Sequence, residues 1–195
     1  QKNSFIDFPG TMATVLFLGG CNLRCPYCHN PAVVMGTTGV RIELHEVLGF
    51  LRKRHGIVEG VVLSGGEPTI HAGLCDGVAQ LRQEGVRIKL DTNGLLPEVI
   101  ERVRPDYLSL DVKARPRDYR TLLGACISDA GQRLRRSIEL VRLMGMGAEI
   151  RITVAPGIVT DDSIDDLGDL IRGVSQVFLQ PTQYGVQTLD PAFSN

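Results

Sequence analysis

Residues 13–31 read Ala13-Thr-Val-Leu-Phe-Leu18-Gly-Gly-Cys21-Asn-Leu-Arg-Cys25-Pro-Tyr-Cys28-His-Asn-Pro31: a short apolar, β-branched run that stops at two glycines and opens into a loop carrying three thiols. Such a run has the length of a strand, and the glycine pair marks its end. The same alternation of strand and punctuation recurs down the chain. Strand-like runs are expected at Ala13–Leu18, Gly60–Ser64, Val86–Asp91, Tyr107–Asp111, Glu149–Val154 and Gln176–Gln180. Helical spacing lies between them: Val47, Leu48 and Leu51; Val78 and Leu81; Val99, Ile100 and Val103; Ile138, Leu140, Val141 and Leu143; Ile164, Leu167, Leu170 and Ile171. Six strands alternating with helices predict right-handed βαβ units and a parallel sheet. The runs read as nearly continuous apolar stretches, which predicts a sheet covered on both faces. Pattern alone leaves an open Rossmann-type layer and a curved part-barrel both standing.

In either fold ligands gather beyond the C-terminal ends of the strands. Six unusual motifs each follow a predicted strand: Gly19–Pro31, Ser64–Pro68, Asp91–Gly94, Asp111–Lys113, Pro156–Gly157 and Gln180–Gln183. They therefore belong to one rim and one site.

A chain of 195 residues suits a single domain spanning 1–195, and Gln1 in place of a starting methionine leaves the natural ends open. It is 43% hydrophobic and 22% charged, with a formal net charge of -1, which gives no argument for nucleic acid or an acidic membrane as partner. No stretch reads as a signal peptide and no apolar run reaches the roughly 20 residues of a membrane span, so a cytoplasmic protein is expected. Arg115, Arg117, Arg120, Arg133, Arg135 and Arg136 make one stretch basic, and Asp161, Asp162, Asp165, Asp166 and Asp169 a later one acidic; solvated helix faces account for both. Of the five cysteines, Cys75 and Cys126 stand among apolar neighbours and read as small core or helix residues.

The other three are spaced C-x3-C-x2-C. Iron–sulfur clusters are held by cysteine thiolates, usually four, so three ligands leave one iron free for chemistry. Other readings stay open on the loop alone. Cys25-Pro26-Tyr27-Cys28 is also a glutaredoxin-like dithiol, Cys25 to His29 also matches haem attachment, and Cys21, Cys25, Cys28 and His29 together would make a closed Cys3His zinc site. Among the remaining motifs, Ser64-Gly65-Gly66-Glu67-Pro68 reads as a turn whose glycines admit close backbone approach. Asp111 and Lys113 fall on one side of their strand.

The spacing, with an aromatic before the third cysteine, resembles the signature of the radical S-adenosylmethionine (SAM) superfamily. That resemblance implies a [4Fe–4S] cluster on Cys21, Cys25 and Cys28, a partial (β/α)6 TIM-like barrel of parallel strands, and SAM chelated by the free iron. An electron then cleaves SAM to methionine and a 5′-deoxyadenosyl radical. It further implies cofactor contacts from Tyr27, His29, Gly65, Gly66, Glu67, Asp91, Thr92, Asn93, Asp111, Lys113 and Arg151, the Gly-Gly-Glu segment meeting the methionine amino group. A monovalent cation at Asp91, Thr92 and Asp111 is part of the same resemblance. Asp7-x-Pro9-Gly10 and His29-Asn30-Pro31 are similar to the activases of glycyl-radical enzymes, which implies a protein substrate, above all an anaerobic ribonucleotide reductase, and flavodoxin or ferredoxin as reductant. Gln180-Pro-Thr-Gln183 departs from the histidine that pyruvate formate-lyase activases carry there. A deazapurine-type radical SAM enzyme and a non-catalytic zinc or iron–sulfur module are the rival readings.

Overall fold

A computed structural model describes residues 1–37, 41–124, 127–183 and 185–193, and only the backbone of Leu122. Six strands form one sheet in the order β1-β2-β3-β4-β5-β6, every neighbouring pair parallel. They are β1 Ala13–Leu18, β2 Gly60–Gly65, β3 Arg87–Thr92, β4 Tyr107–Val112, β5 Ala148–Val154 and β6 Val177–Pro181. The helices are α1 Pro31–Val34, α2 Leu44–Lys53, α3 Leu74–Gln83, α4 Pro97–Val103, α5 Tyr119–Leu123, α6 Ala130–Met144 and α7 Asp161–Ile171. The five helices expected from spacing are α2, α3, α4, α6 and α7. The two short ones, α1 and α5, span too few residues to show a period.

Strands in sequence order, joined by crossovers of one hand, put all the long helices on one face. That face is the main core: Leu63, Leu90, Leu110 and Ile152 of the sheet meet Leu51, Leu81, Ile100, Ile138 and Leu167 of the helices. Two apolar residues that marked helices turn outward: Leu143 ends α6 83% exposed, and Ile164 in the first turn of α7 is 55% exposed. Cys75 lies half-buried in α3, where its sulfur accepts from Arg102 at 3.3 Å; Cys126 lies outside the described residues.

The opposite face differs from the expectation of apolar runs on both sides. In β3, β4 and β5 the sequence alternates, Arg-Ile-Lys-Leu-Asp-Thr, Tyr-Leu-Ser-Leu-Asp-Val and Ala-Glu-Ile-Arg-Ile-Thr-Val. Period two sends the charged members to one side. The register aligns Val15 with Val62, Lys89 and Tyr107 in one row, and Asp111 with Arg151 and Phe178 in another nearer the strand C-termini. The inner face is therefore apolar on β1 and β2 and charged along β3, β4 and β5.

The end of the inner face at the strand N-termini is plugged by the segment before β1. Phe8, fully buried, packs with Ala13, Val15, Val62 and Tyr107, and a Cβ on Gly60 would lie 2.8 Å from its ring. Asp7-x-Pro9-Gly10 belongs to this plug, Asp7 accepting from the Ser4 hydroxyl while Ser4 bridges the edge of β1. It stands at the end of the sheet away from the cysteine loop. The sheet does not close: β1 pairs only with β2 among the strands, β6 only with β5, and every residue of β6 is exposed. The result is an open part-barrel. Part of the uneven charge is paired: Arg117 with Asp166 of α7, Arg133 with Glu98 of α4 and with Asp129 at the start of its own helix, and Arg136 with Glu101 of α4. No described helix is long and apolar enough to cross a membrane.

Candidate active site

The loop after β1 and the turn after β2 are built against each other. Gly66 donates to the Leu18 carbonyl at 2.8 Å and Glu67 to the Gly20 carbonyl at 2.9 Å. A Cβ at Gly66 would stand 2.0 Å from the Gly20 oxygen, so the approach requires glycine. His71 ties to the Gly19 carbonyl at 2.9 Å. Leu23 is buried in the core, and Arg24 donates its backbone N–H to Leu123 of α5 at 2.8 Å. The C-terminal segment returns to the same loop: Leu189 donates to the Cys28 carbonyl at 2.8 Å, Asp190 to that of Pro26 at 2.9 Å, and the Phe193 ring centroid lies 6.4 Å from that of Tyr27.

Within this frame Cys21, Cys25 and Cys28 are free thiols, Cys25 buried and the others half-buried. Burial pushes the Cys25 thiol up to about 11, against the opposing pull of Lys113, and also raises Cys21. Free thiols held this way favour the protonated form until a metal displaces the proton. The Cys21 sulfur already accepts from the Leu23 N–H at 3.4 Å. Among the described residues, no three His, Cys, Asp or Glu side chains are grouped as one metal ion requires. A cluster asks for something different, since each thiolate binds its own iron. Two buried side-chain atoms meet no partner within full hydrogen-bond distance among the described residues, Asn22 Nδ2 and the Tyr27 hydroxyl, the latter leaning on the Cys25 sulfur closely enough to lower that thiol. Both flank the thiols, and both can donate, as an acceptor-only group of sulfides and thiolates would need.

Glu67 is fully buried and its carboxylate is saturated. It accepts from the Thr69 N–H at 3.0 Å, the Thr69 hydroxyl at 2.6 Å, the Thr92 hydroxyl at 2.7 Å and the Asn93 N–H at 2.7 Å. Burial raises its carboxyl, and those four bonds pull the other way. The side chain thus clamps the end of β2 to the end of β3.

Between these loops lies a layer of alternating charge. Lys89, buried, meets Asp91 at 2.5 Å; Arg151 Nη2 stands 3.7 Å from Asp91, and its Nε donates to Asp111 at 2.8 Å; Lys113 reaches Asp111 at 3.2 Å. Burial alone would raise the Asp111 carboxyl, but Lys113 and Arg151 outweigh it and hold it below the usual carboxylate value. Burial opposes the Lys113 charge too, and Asp111 more than compensates. Below this layer Glu149 accepts from Tyr107 at 2.8 Å and Ser109 at 2.6 Å.

Of the residues singled out by sequence, Cys21, Cys25, Tyr27, Cys28, Gly65, Gly66, Glu67, Asp91, Thr92, Asn93, Asp111, Lys113 and Arg151 all lie at or next to this end of the sheet. His29 is on the exposed side of the loop. Asp91 and Asp111 face each other across Arg151, while the Thr92 hydroxyl turns to Glu67; a cation held by all three would have to displace these contacts. Lys89, Glu149, His71 and Asn22 carry contacts here that sequence reading passed over. The alternation in β3 and β5 would have exposed the first two. Nothing local marks His71 or Asn22, whose partners are distant in the chain.

A profile of the radical SAM superfamily matches residues 15–171. A Methanocaldococcus jannaschii protein, itself only provisionally assigned as a glycyl-radical enzyme activating enzyme, is 30% identical over 96% of this chain and 77% of its own length. A 7-carboxy-7-deazaguanine synthase of Rhodopirellula baltica is 30% identical over 95% of this chain and 72% of its own. The pyruvate formate-lyase-activating enzyme of Clostridium pasteurianum is 28% identical over 91% of this chain and 76% of its own. Among solved structures, anSMEcpe with bound AdoMet and TYW1 with a lysine-pyruvate adduct each superpose with a TM-score of 0.64 at 17% identity over 88% of this chain, which spans 51% and 64% of theirs. At that identity the likeness is one of fold.

Proposed function

Because the chain belongs to the radical SAM superfamily, whose chemistry runs on a [4Fe–4S] cluster and SAM, we propose that it activates a glycyl-radical enzyme, anaerobic ribonucleotide reductase being the first candidate. Cys21, Cys25 and Cys28 hold the cluster in this reading, leaving one iron for SAM. The backbone of Gly65 and Gly66 receives the methionine head, and the charged layer of Asp91, Asp111, Lys113 and Arg151 lies along the remainder of the cofactor. The bound pair supplies a 5′-deoxyadenosyl radical when an electron arrives from a reductant such as flavodoxin or ferredoxin. The glycine Cα–H bond of the partner then breaks, its hydrogen leaves in 5′-deoxyadenosine, and the unpaired electron stays on the glycine. Lys89 and Glu149 wall the inner face below the site with groups already paired, so an uncharged backbone fits there without stranding a charge.

The observation that supports a protein substrate is the open seam. The two edge strands carry exposed rings on the inner face, Phe17 on β1 at 60% and Phe178 on β6 at 48%. Apolar borders around an unclosed mouth suit a glycine loop delivered from outside, where a metabolite enzyme would enclose its ligand. The activase relatives, matched through nearly the whole chain, support the same reading.

The test incubates anaerobically reconstituted, reduced protein and SAM with glycyl-radical enzymes of the same organism. A doublet EPR signal that narrows when the partner glycine is α-deuterated is the expected result. The deazaguanine synthase relative favours a second reading, action on a small purine-like metabolite. Turnover of such a metabolite with SAM consumption, and no radical on any partner, would replace the first reading with the second.

A further inference from the structure

Two buried side-chain donors meet no acceptor within full hydrogen-bond distance among the described residues, and both sit inside the loop of three thiols, at Asn22 and Tyr27. For Asn22 the geometry says which atom is left over. The Leu95 N–H donates to Asn93 Oδ1 at 3.1 Å, which makes the other end of that amide the NH2. Asn93 Nδ2 then donates to Asn22 Oδ1 at 2.7 Å, so the Asn22 amide is oriented in turn. Its Nδ2 remains, buried, with two N–H bonds and nowhere to place them. The chain of bonds starts further back, because the Asn93 N–H is held by the saturated Glu67 carboxylate. Thus the ends of β2 and β3 fix the direction of a donor in the loop after β1.

Tyr27 reaches the same condition independently. Only 8% of the residue is exposed, and its hydroxyl meets no acceptor within full hydrogen-bond distance, although it stands close enough to the Cys25 sulfur to pull that thiol down. Leaving a buried hydroxyl or amide unpaired forfeits its hydration with nothing in return, so native folds rarely keep one without something to meet it. Asn22 follows Cys21 directly and Tyr27 precedes Cys28 directly. The acceptor that both lack is one that arrives with the three thiolates.

We propose that the Asn22 amide and the Tyr27 hydroxyl donate hydrogen bonds to sulfur atoms of the cluster, and that together they raise its reduction potential. Donors to sulfur favour the more negative, reduced state, and such bonds are among the factors that set cluster potentials. The backbone N–H of Leu23 on the Cys21 sulfur is a third member of the set, present already in the fold. The inference rests on the cluster reading above.

The experiment compares reconstituted wild type with Tyr27→Phe, Asn22→Leu and the double variant. Iron and sulfide content is measured first; wild-type content in Tyr27→Phe keeps the cluster reading standing whatever follows. Redox titration followed by EPR, without SAM, should then show each variant at a more negative potential, the double variant lowest. Pulsed ENDOR of the reduced cluster after exchange into D2O should show the loss of one class of exchangeable-proton coupling in each single variant. Asn93→Ala, which frees the Asn22 amide to rotate, should shift the potential in the same direction by less than Asn22→Leu. Unchanged potentials and couplings in Tyr27→Phe and Asn22→Leu at full iron content would overturn the proposal. A shift that appears only after SAM is added would also overturn it, by assigning the donors to SAM.

Discussion

Glu67 and the three loop cysteines carry different loads, and their substitutions should separate. Replacing Cys21, Cys25 or Cys28 by Ala should each abolish iron binding after anaerobic reconstitution, with the apo-protein still folded, because a domain of this size does not depend on a metal for its core. Cys75→Ala should keep the wild-type iron content, since that thiol lies in α3 beside Arg102. Stoichiometric zinc without iron in anaerobically purified protein would contradict the cluster. Glu67→Ala behaves otherwise. It strands the donors of Thr69, Thr92 and Asn93, at about 1–3 kcal/mol for an unpaired buried group. A domain of this length melts about 2–4 °C lower for each kcal/mol lost. Glu67→Ala should therefore lose both melting temperature and SAM affinity, measured by thermal shift and by equilibrium binding. A variant that loses SAM affinity at an unchanged melting temperature would show that the carboxylate meets the cofactor directly.

At the scale of elements, the site depends on how loop backbones meet and on charges shared between strands. Gly66→Ala would drive a Cβ into the Gly20 carbonyl and push the turn after β2 away from the cysteine loop. The expected outcome is reduced iron retention, read as faster cluster loss to a chelator; retention equal to wild type would mean the two loops are not coupled. The ion pairs among β3, β4 and β5 carry a pH signature. Asp111 is held below its usual value by Lys113 and Arg151, so its contribution to stability is present above the unfolded carboxylate value, about 4, and is lost as pH falls through the lower folded value. The difference in melting temperature between wild type and Asp111→Asn should be full near neutrality and shrink below about pH 4. A difference that grew on acidification would reverse the assignment.

For the whole molecule, the unclosed sheet distinguishes cofactor chemistry from partner chemistry. Phe178 stands exposed on β6, in register with Arg151 but on the outer edge of the sheet. Phe178→Ser should leave iron content and uncoupled SAM cleavage near wild type while lowering glycyl-radical formation on the partner by about tenfold or more, the loss expected for one buried aromatic contact of about 1.5 kcal/mol or above. Equal loss of SAM cleavage would place Phe178 at the cofactor.

The six strands, the parallel sheet, the five long helices and the placing of six unusual motifs at strand ends follow from local pattern, apolar periodicity and glycine or proline at the joints; the unpermuted order of the strands within the sheet came only from the structure. The three-thiol spacing is equally local, so the superfamily was legible from residues 21–28. Which face of the sheet is charged was also written in the alternation of β3 and β5, and was hidden only because their apolar members read as continuous runs. The roles of Glu67, Asn93 and Asn22 were not accessible in this way. Their bonds join residues 67, 93 and 22, and a hydrogen bond needs a distance and a direction that spacing along one chain does not specify. The open seam has the same origin: whether the edges of β1 and β6 meet depends on the accumulated curvature of all six strands, a property that no segment possesses and only the assembled sheet decides.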